Sequence, residues 1–470
     1  MQKTKKTKII CSIGPASSDA SVMENMVKKG MNVARINCSH ATIEEKVDVV
    51  KSVKEVRNRT GVNVGILYDT KGPEFRNGMF ENGEINLVEG NTIRVVKETI
   101  LGTEEKFSVN HPQALDSLIV GSIILLENGL MKLEVISIES DGVTCKIVNG
   151  GILGNKKSLS VPGIKLNIPF ISEQDREDII YACQYDGDFL ALSFVSSVED
   201  ILEAKEILKQ QNREDLQIIS KIESMTGIEN LDSIIEESDG IMVARGDLGV
   251  EVPMTMLPIY QKEIIQKCRE KGKFCIVATE MLESMKKSAR PTRAEVSDVS
   301  NAVLDGTDAV MLSGETTIGK YPVETVEYMA DICKAAEQHY CNSFNYFNKV
   351  GITETIAAGV VESTKTLDIK VVVASTVSGY SARKISNLKP CCLILATCTT
   401  EKVALGLSLN YGVYTTVVPV CKGTDEVVEV AKQKATEIFD LKAEDKIIIT
   451  GGMSNTETRR VTDFFKIDKI

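Results

Sequence analysis

Tryptophan is missing from this chain altogether, so no indole is on hand to stack against a ligand. Long apolar runs are missing too. None approaches the roughly 20 residues that a membrane-spanning helix requires. The 12 cysteines lack the paired C-x-x-C spacing of a zinc site, and the adjacent Cys391 and Cys392 follow a proline and enter a strand-like run. They read as small core residues. An excess of basic residues is also lacking: the net charge of −11 speaks against nucleic acid or an anionic membrane as partner. It leaves room for an anionic substrate held by a local cluster of Lys and Arg. The start, "MQKTKKTKIICSIG", is basic, but its apolar run is too short for a secretory signal. A cytoplasmic location, with thiols kept reduced, is the expectation.

The content that is present suits a soluble enzyme, with 43% hydrophobic and 26% charged residues. At 470 residues the chain has room for two to four domains of roughly 100–200 residues each. Short β-rich runs alternate with amphipathic helical patterns, which predicts parallel βα units. The strand-like runs are Thr7–Gly14, Asn32–Cys38, Gly65–Thr70, Phe189–Val195, Leu216–Glu223, Gly240–Gly246, Cys275–Thr279 and Ala309–Glu315. Eight of them, apolar throughout, predict a closed (β/α)8 TIM barrel. After the third, the period changes: residues 71–162 carry short alternating runs broken by ENG, DG and NGG, which is hairpin chemistry. This stretch is read as a small β-barrel domain inserted into a βα loop. Without it, residues 1–70 and 163–345 come close to the ~250 of one barrel. Residues 346–470 alternate helix and strand again and predict an open parallel α/β domain.

In such barrels the active site lies at the C-terminal strand ends. Strand two ends in Arg35, Asn37, Ser39 and His40; strand three in Asp69 and Thr70, with Lys71, Glu74 and Arg76 beyond. Strand five supplies Lys221 and Glu223, strand six Arg245 and Asp247, strand seven Thr279 and Glu280, strand eight Ser313 and Glu315. Lys221 and Glu223, two apart, leave the strand on one face. Carboxylate and hydroxyl oxygens suit a hard cation such as Mg²⁺, and Glu223 with Asp247 on adjacent strands is the best pair. Arginines and a lysine around it describe phosphate recognition, and phosphoryl transfer needs little else. "GIMVARGDLGVE" brings glycines that let a ligand approach the backbone, with free N–H groups if a helical turn starts there. Plainer readings stand beside these. Lys221 and Glu223 could be a rim ion pair, His40 a loop residue, and "PTRAE" a helix start with Thr292 and Glu295 as a capping box.

Taken together, "NVARINCSH", "LYDTKGPEFRNG", "SKIES", "DGIMVARGDLGVE", "VATEMLESM", "RPTRAEVSDVSNAVLDGTDAVMLSGE" and "GKYP" resemble the blocks of the pyruvate kinase family, in order and over the whole length. The resemblance implies phosphoryl transfer from phosphoenolpyruvate to ADP, giving pyruvate and ATP in glycolysis. It implies a lid made by the β insertion and a regulatory C-terminal domain. By similarity, Glu223 and Asp247 ligate Mg²⁺ (Mn²⁺ can substitute). Lys221 neutralises the moving phosphoryl group and the enolate. Gly246 and Asp247 N–H groups hold the substrate carboxylate, and Thr279 helps deliver a proton. Arg35 and Arg76 contact phosphates, with Arg76 counted among the catalytic groups. Asn37, His40, Arg76 and Lys157 lie on the nucleotide side. Asn37, Ser39, Asp69 and Thr70 look like K⁺ ligands, and Glu74 occupies the position that marks K⁺-dependent members. The family is usually a homotetramer.

Some positions depart from the family pattern. Glu280 stands where Gln is usual, "LSFVSS" lacks a basic residue, "LLENGL" replaces Asp-Asp-Gly, and "KKSLSVPG" has lost Gly-Val-Asn. "STVSGYSAR" follows a strand and opens a helix, resembling a sugar-phosphate effector loop with Ser375, Thr376, Ser378, Gly379 and Ser381; a nucleotide effector and a plain helix cap are alternatives. "TGGMSNTETRRV" departs from the usual Gly-rich partner loop. Two other readings share part of the pattern: a Mg²⁺-dependent lyase or aldolase, and a catalytically silent metabolite sensor.

Overall fold

The computed structural model describes residues 4–340, 351–452 and 462–470. Eight parallel strands close into a barrel: β1 (Lys8–Ser12), β2 (Val33–Asn37), β3 (Gly65–Asp69), β4 (Phe189–Leu192), β5 (Gln217–Ile222), β6 (Gly240–Ala244), β7 (Phe274–Ala278) and β8 (Ala309–Leu312). Each pairs with its neighbours in sequence, and β1 closes onto β8. Residues facing in, such as Ile10, Val33, Leu67, Ile219, Met242 and Met311, fill the barrel. Their neighbours Ile9, Cys11, Ile218 and Val243 face out and join the layer packed under the helices. Burial on both sides is why these strands are apolar without alternation. Helix starts follow local rules: Thr42 with Glu45, Ser172 with Asp175, and Thr292 with Glu295 each form a capping box.

Between β3 and β4 the chain builds a separate β body, with a six-stranded and a two-stranded sheet. Its hairpin after Ile123–Leu126 turns through Glu127, Asn128 and Gly129, all at positive φ, as the ENG signal requires. Phe107, Ile124 and Leu133 belong to a core of its own.

The C-terminal sheet contains β9 (Ile369–Thr376), β10 (Leu393–Cys398), β11 (Val413–Val417), β12 (Lys446–Gly451) and β13 (Phe464–Lys469), in the order β11-β10-β9-β12-β13. The first four are parallel, as expected; β13 is an antiparallel edge strand that the sequence reading did not count. Its sequence, FFKIDK, is half exposed and charged, which suits an edge and hides the strand signal. The helix expected over "EKVALGLSL" ends at Leu405, just before Gly406.

Nine of the cysteines are buried, but Cys391 is exposed and Cys392 half-buried. Cys341, the 345/346 domain boundary and most of "TGGMSNTETRRV" lie outside the described residues. No helix among the described residues is long and apolar enough to cross a membrane. The C-terminal domain closes the barrel at the N-terminal strand ends, where Leu409 joins the interior cluster.

Candidate active site at the open end of the barrel

The strand ends bring the expected cations and acids to one place. Lys221, next to last in β5, directs its Nζ to Asp69 Oδ1 at 3.0 Å and Glu223 Oε1 at 3.1 Å. It also donates to Ser193 Oγ at 2.6 Å. Arg35, from β2, donates from Nε to Asp69 Oδ2 at 2.6 Å and from Nη1 to Ser12 Oγ at 2.7 Å. Asp69 therefore sits between two cations. Burial opposes its ionisation, yet Arg35 and Lys221 outweigh burial and hold its carboxyl below the usual range. For Lys221, burial works against the charge, and Asp69 and Glu223 more than restore it, so the ammonium is held above its usual range.

Glu223 and Asp247 behave differently. Burial pushes the Glu223 carboxyl up to about 7, against the pull of Lys221 and helped by the charges of Asp247 and Asp69. Asp247, hydrogen-bonded to Glu223, is raised chiefly by burial as well. Two carboxylates held together in a dry place repel each other unless a proton or a cation intervenes. Among the described residues, no group of three or more His, Cys, Asp and Glu is placed to enclose a metal. A two-carboxylate site open to substrate oxygens is the pattern that Mg²⁺ accepts, so the donor set fits that ion.

Local backbone shapes serve these contacts. Phe194 has φ +58°, and its N–H donates to Glu223 Oε2 at 2.6 Å. Helix Arg245–Glu251 starts directly after β6, as "ARGDLG" suggested. Gly246 N–H donates to Thr279 Oγ1 at 2.8 Å, and that hydroxyl donates to the Ala278 carbonyl at 2.6 Å. Thr279 and Glu280 have φ of +69° and +52°. A β-branched residue in the left-handed region is an outlier that tends to mark functional sites.

Between the barrel end and the β insertion runs a cleft of ≈ 420 Å³, with Glu74, Arg76, Glu127, Lys157 and Asp247 in its wall. Arg76 donates from Nη2 and Nε to Glu74 at 2.6 and 3.0 Å, and Lys157 pairs with Glu127 at 2.5 Å. The two cations therefore share the cleft with Asp247, each countered by a carboxylate. His40 is exposed on the loop after β2 and is not in the cleft wall.

Asn37 lies opposite Asp69 across β2 and β3, and its Oδ1 accepts from Ser39 N–H at 3.2 Å. Thr70 Oγ1 accepts from Ser193 N–H at 3.2 Å. These oxygens, together with Asp69, occupy adjacent strand ends. In the C-terminal domain, Ser375 and Thr376 end β9 and are buried. Gly379, at φ +81°, precedes helix Tyr380–Asn387 and donates its N–H to Thr376 Oγ1 at 3.0 Å. Ser381 is hydrogen-bonded to Thr462, and Ser378 faces a groove toward the barrel.

Two strand-end residues have structural duties instead. Glu315 accepts from the Leu282 and Ser313 N–H groups, and Arg245 grips the turn after β7. Three contributors escaped the sequence reading: Ser12, Ser193 and Phe194. Ser193 directly follows β4, so extending the strand-end inventory to that strand would have found it.

A barrel-domain model described as "Pyruvate kinase, barrel domain" matches residues 4–326, and one described as "Pyruvate kinase, alpha/beta domain" matches residues 354–467. The chain is 44% identical over 455 residues to a pyruvate kinase of Bacillus licheniformis, covering 95% of this chain and 78% of that protein. It is 43% identical over 461 residues to the pyruvate kinase of Geobacillus stearothermophilus, covering 97% and 78%. A crystal structure of a pyruvate kinase from Cryptosporidium parvum superposes with a TM-score of 0.93 at 37% identity, covering 99% of this chain and 96% of the other. Fold and likeness together define a phosphotransferase built on a TIM barrel. The chain belongs to the pyruvate kinase family.

Proposed function

We propose that the chain transfers the phosphoryl group of phosphoenolpyruvate to ADP, giving pyruvate and ATP, as a cytoplasmic step of glycolysis. The observation that carries this reading is Lys221, buried between Asp69 and Glu223 with Asp247 opposite. An ammonium so placed meets negative charge as it develops, first on the phosphoryl group in flight and then on the enolate. The phosphorus–oxygen bond of phosphoenolpyruvate breaks, a new one forms to a terminal oxygen of ADP, and the enolate takes a proton at C3. Thr279 would help deliver that proton, through water. Gly246 N–H, now given to the Thr279 hydroxyl, and the neighbouring Asp247 N–H would receive the substrate carboxylate. Arg35, Arg76 and Lys157 would meet phosphates, and Asn37 and His40 the nucleotide side.

Glu223 and Asp247 would hold Mg²⁺, or Mn²⁺ in its place, which supplies a Lewis acid for the substrate oxygens. A second Mg²⁺ would come with ADP. Asn37, Ser39, Asp69 and Thr70 would serve K⁺, and Glu74 favours dependence on it. Residues 71–162 would act as the lid over a catalytic barrel formed by 1–70 and 163–345. Residues 346–470 would form a regulatory domain taking a sugar phosphate or nucleotide near Ser375–Ser381. A homotetramer is the assembly expected from the family.

One assay tests the core of this reading. Pyruvate formation from phosphoenolpyruvate is expected to require ADP and to run faster in K⁺ than in Na⁺. In Lys221→Met it is expected to fall by about 10²–10³-fold while substrate and metal still bind. ADP-independent turnover would point to a lyase, equal rates in K⁺ and Na⁺ would remove the K⁺ set, and an undiminished variant would remove Lys221 from the mechanism.

A further inference from the structure

The turn after β7 needs an external hold. Two consecutive residues, Thr279 and Glu280, lie in the left-handed region, which a β-branched residue strongly disfavours. Arg245, the residue after β6, supplies that hold. Its Nη2 donates to the Thr279 carbonyl at 2.7 Å and the Glu280 carbonyl at 3.3 Å, and lies 2.8 Å from Met281 Sδ. Its Nη1 donates to Asp298 Oδ1 at 2.7 Å, on helix Arg293–Asp305, and to Gln261 Oε1 at 3.4 Å. Both terminal nitrogens of the guanidinium are thus committed within the protein, and the side chain is 9% exposed.

The next residue completes the grip. Without substrate, Gly246 N–H also holds the Thr279 hydroxyl oxygen, so two consecutive residues fasten the carbonyl and the hydroxyl of one threonine; once that N–H turns to the substrate carboxylate, the Arg245 hold on the carbonyl remains. A rotation of the turn would move that hydroxyl relative to the Gly246 and Asp247 N–H groups. We infer that Arg245 is a positioning residue that aims the Thr279 hydroxyl at the enolate carbon and thereby sets the rate and face of its protonation. It touches no substrate itself. The inference rests on the reading of Thr279 as part of the proton-delivery path.

The step concerned forms a C3–H bond: the enolate carbon accepts a proton, pyruvate gains its methyl group, and the path is reprotonated from solvent. Run backward on bound pyruvate, it exchanges methyl hydrogens with solvent. Arg245→Ala and Arg245→Lys are therefore compared with the unaltered protein in three readouts: kcat and KM for phosphoenolpyruvate, deuterium uptake into the pyruvate methyl group from D₂O, and the stereochemistry of protonation at C3. Loss of a charged hydrogen bond predicts about a 10- to 100-fold fall in kcat and in deuterium uptake for Arg245→Ala. KM is expected to stay within about threefold, protonation to lose facial selectivity, and free guanidinium to restore part of the rate. Arg245→Lys, which keeps the charge but spans fewer acceptors, carries the test if the alanine variant does not fold, with deuterium uptake reduced about tenfold. Wild-type uptake and selectivity in the folded variants would overturn the inference. Thr279→Val separates the two claims: if it exchanges like the unaltered protein, the reading of Thr279 fails. If it loses exchange while the Arg245 variants keep theirs, only the role of Arg245 falls.

Discussion

Glu223 shows how much a single residue's surroundings decide. Its sequence position places it beside Lys221 on a strand end, and that pairing alone would favour the ionised form. Burial and the nearness of Asp247 win instead, raising the carboxyl from its ordinary 4.5 to about 7. Between those values the folded, metal-free protein holds a proton that the unfolded chain has released. This group's contribution to stability therefore falls as pH rises from about 4.5 to 7, without metal. Metal binding needs the carboxylate, so Mg²⁺ uptake is expected to release protons at pH 6 and to stop doing so above pH 8. Calorimetric titration in two buffers of different ionisation enthalpy reads this directly; a binding heat at pH 6 that ignores the buffer contradicts it. Lys221, Glu223 and Asp247 were legible because strand-end position and residue type both announce them. The partner Ser193 was not, since a serine after "LAL" carries no charge signal and its role depends on the Lys221 ammonium reaching it from β5.

At the level of elements, the barrel strands were readable because burial on both faces leaves them no polar residues to confuse the pattern. The junctions between elements were not. Where β3 leads into the inserted domain, Lys71 and Gly72 donate their N–H groups to Asp175 Oδ1 at 3.0 and 3.1 Å. Asp175 belongs to the capping box of helix Glu173–Gln184, where the chain re-enters the barrel, so one carboxylate ties the outgoing connection to the returning one. Gly72 has φ +74°, and a Cβ there would lie 2.8 Å from Ser193 Cβ. Gly72→Ala is expected to cost about 1–3 kcal/mol and to raise KM by displacing Ser193. Urea unfolding together with the pyruvate assay checks both; a variant matching the unaltered protein in each would show that the junction has slack. The antiparallel strand Phe464–Lys469 illustrates another limit, because an edge strand needs only half an apolar face and FFKIDK offers little periodicity.

Across the whole molecule, the C-terminal domain is anchored to the barrel through buried cations. Lys389 pairs with Asp308 at 2.5 Å, both essentially inaccessible, and lies 4.1 Å from the Tyr411 ring. Asp308 also accepts the Cys275 N–H, so the pair is fixed to β7 and to the start of β8. Lys8, on β1, donates to the Val413 carbonyl and sits 4.3 Å from the Tyr414 ring. β1 then runs from that contact to Ser12, which holds Arg35, making one continuous element between the domain interface and the active site. Lys389→Met is expected to destabilise the protein by about 3–5 kcal/mol, since it strands Asp308 as a buried charge. Adding Asp308→Asn should recover most of that loss. Urea titrations of the single and double variants measure it, and a single-variant loss under about 1 kcal/mol would place the anchoring elsewhere.

The sequence alone settled the number and order of barrel strands, the site of the insertion and the residue types at the open end. Those features follow from apolar periodicity and turn chemistry, which act over neighbouring residues. Tertiary structure alone decided that Asp69 neutralises two cations, that burial raises the Glu223 carboxyl to about 7, and that Arg245 holds a turn instead of facing solvent. These outcomes depend on burial and on charges brought together from distant strands, and neither is written in local spacing.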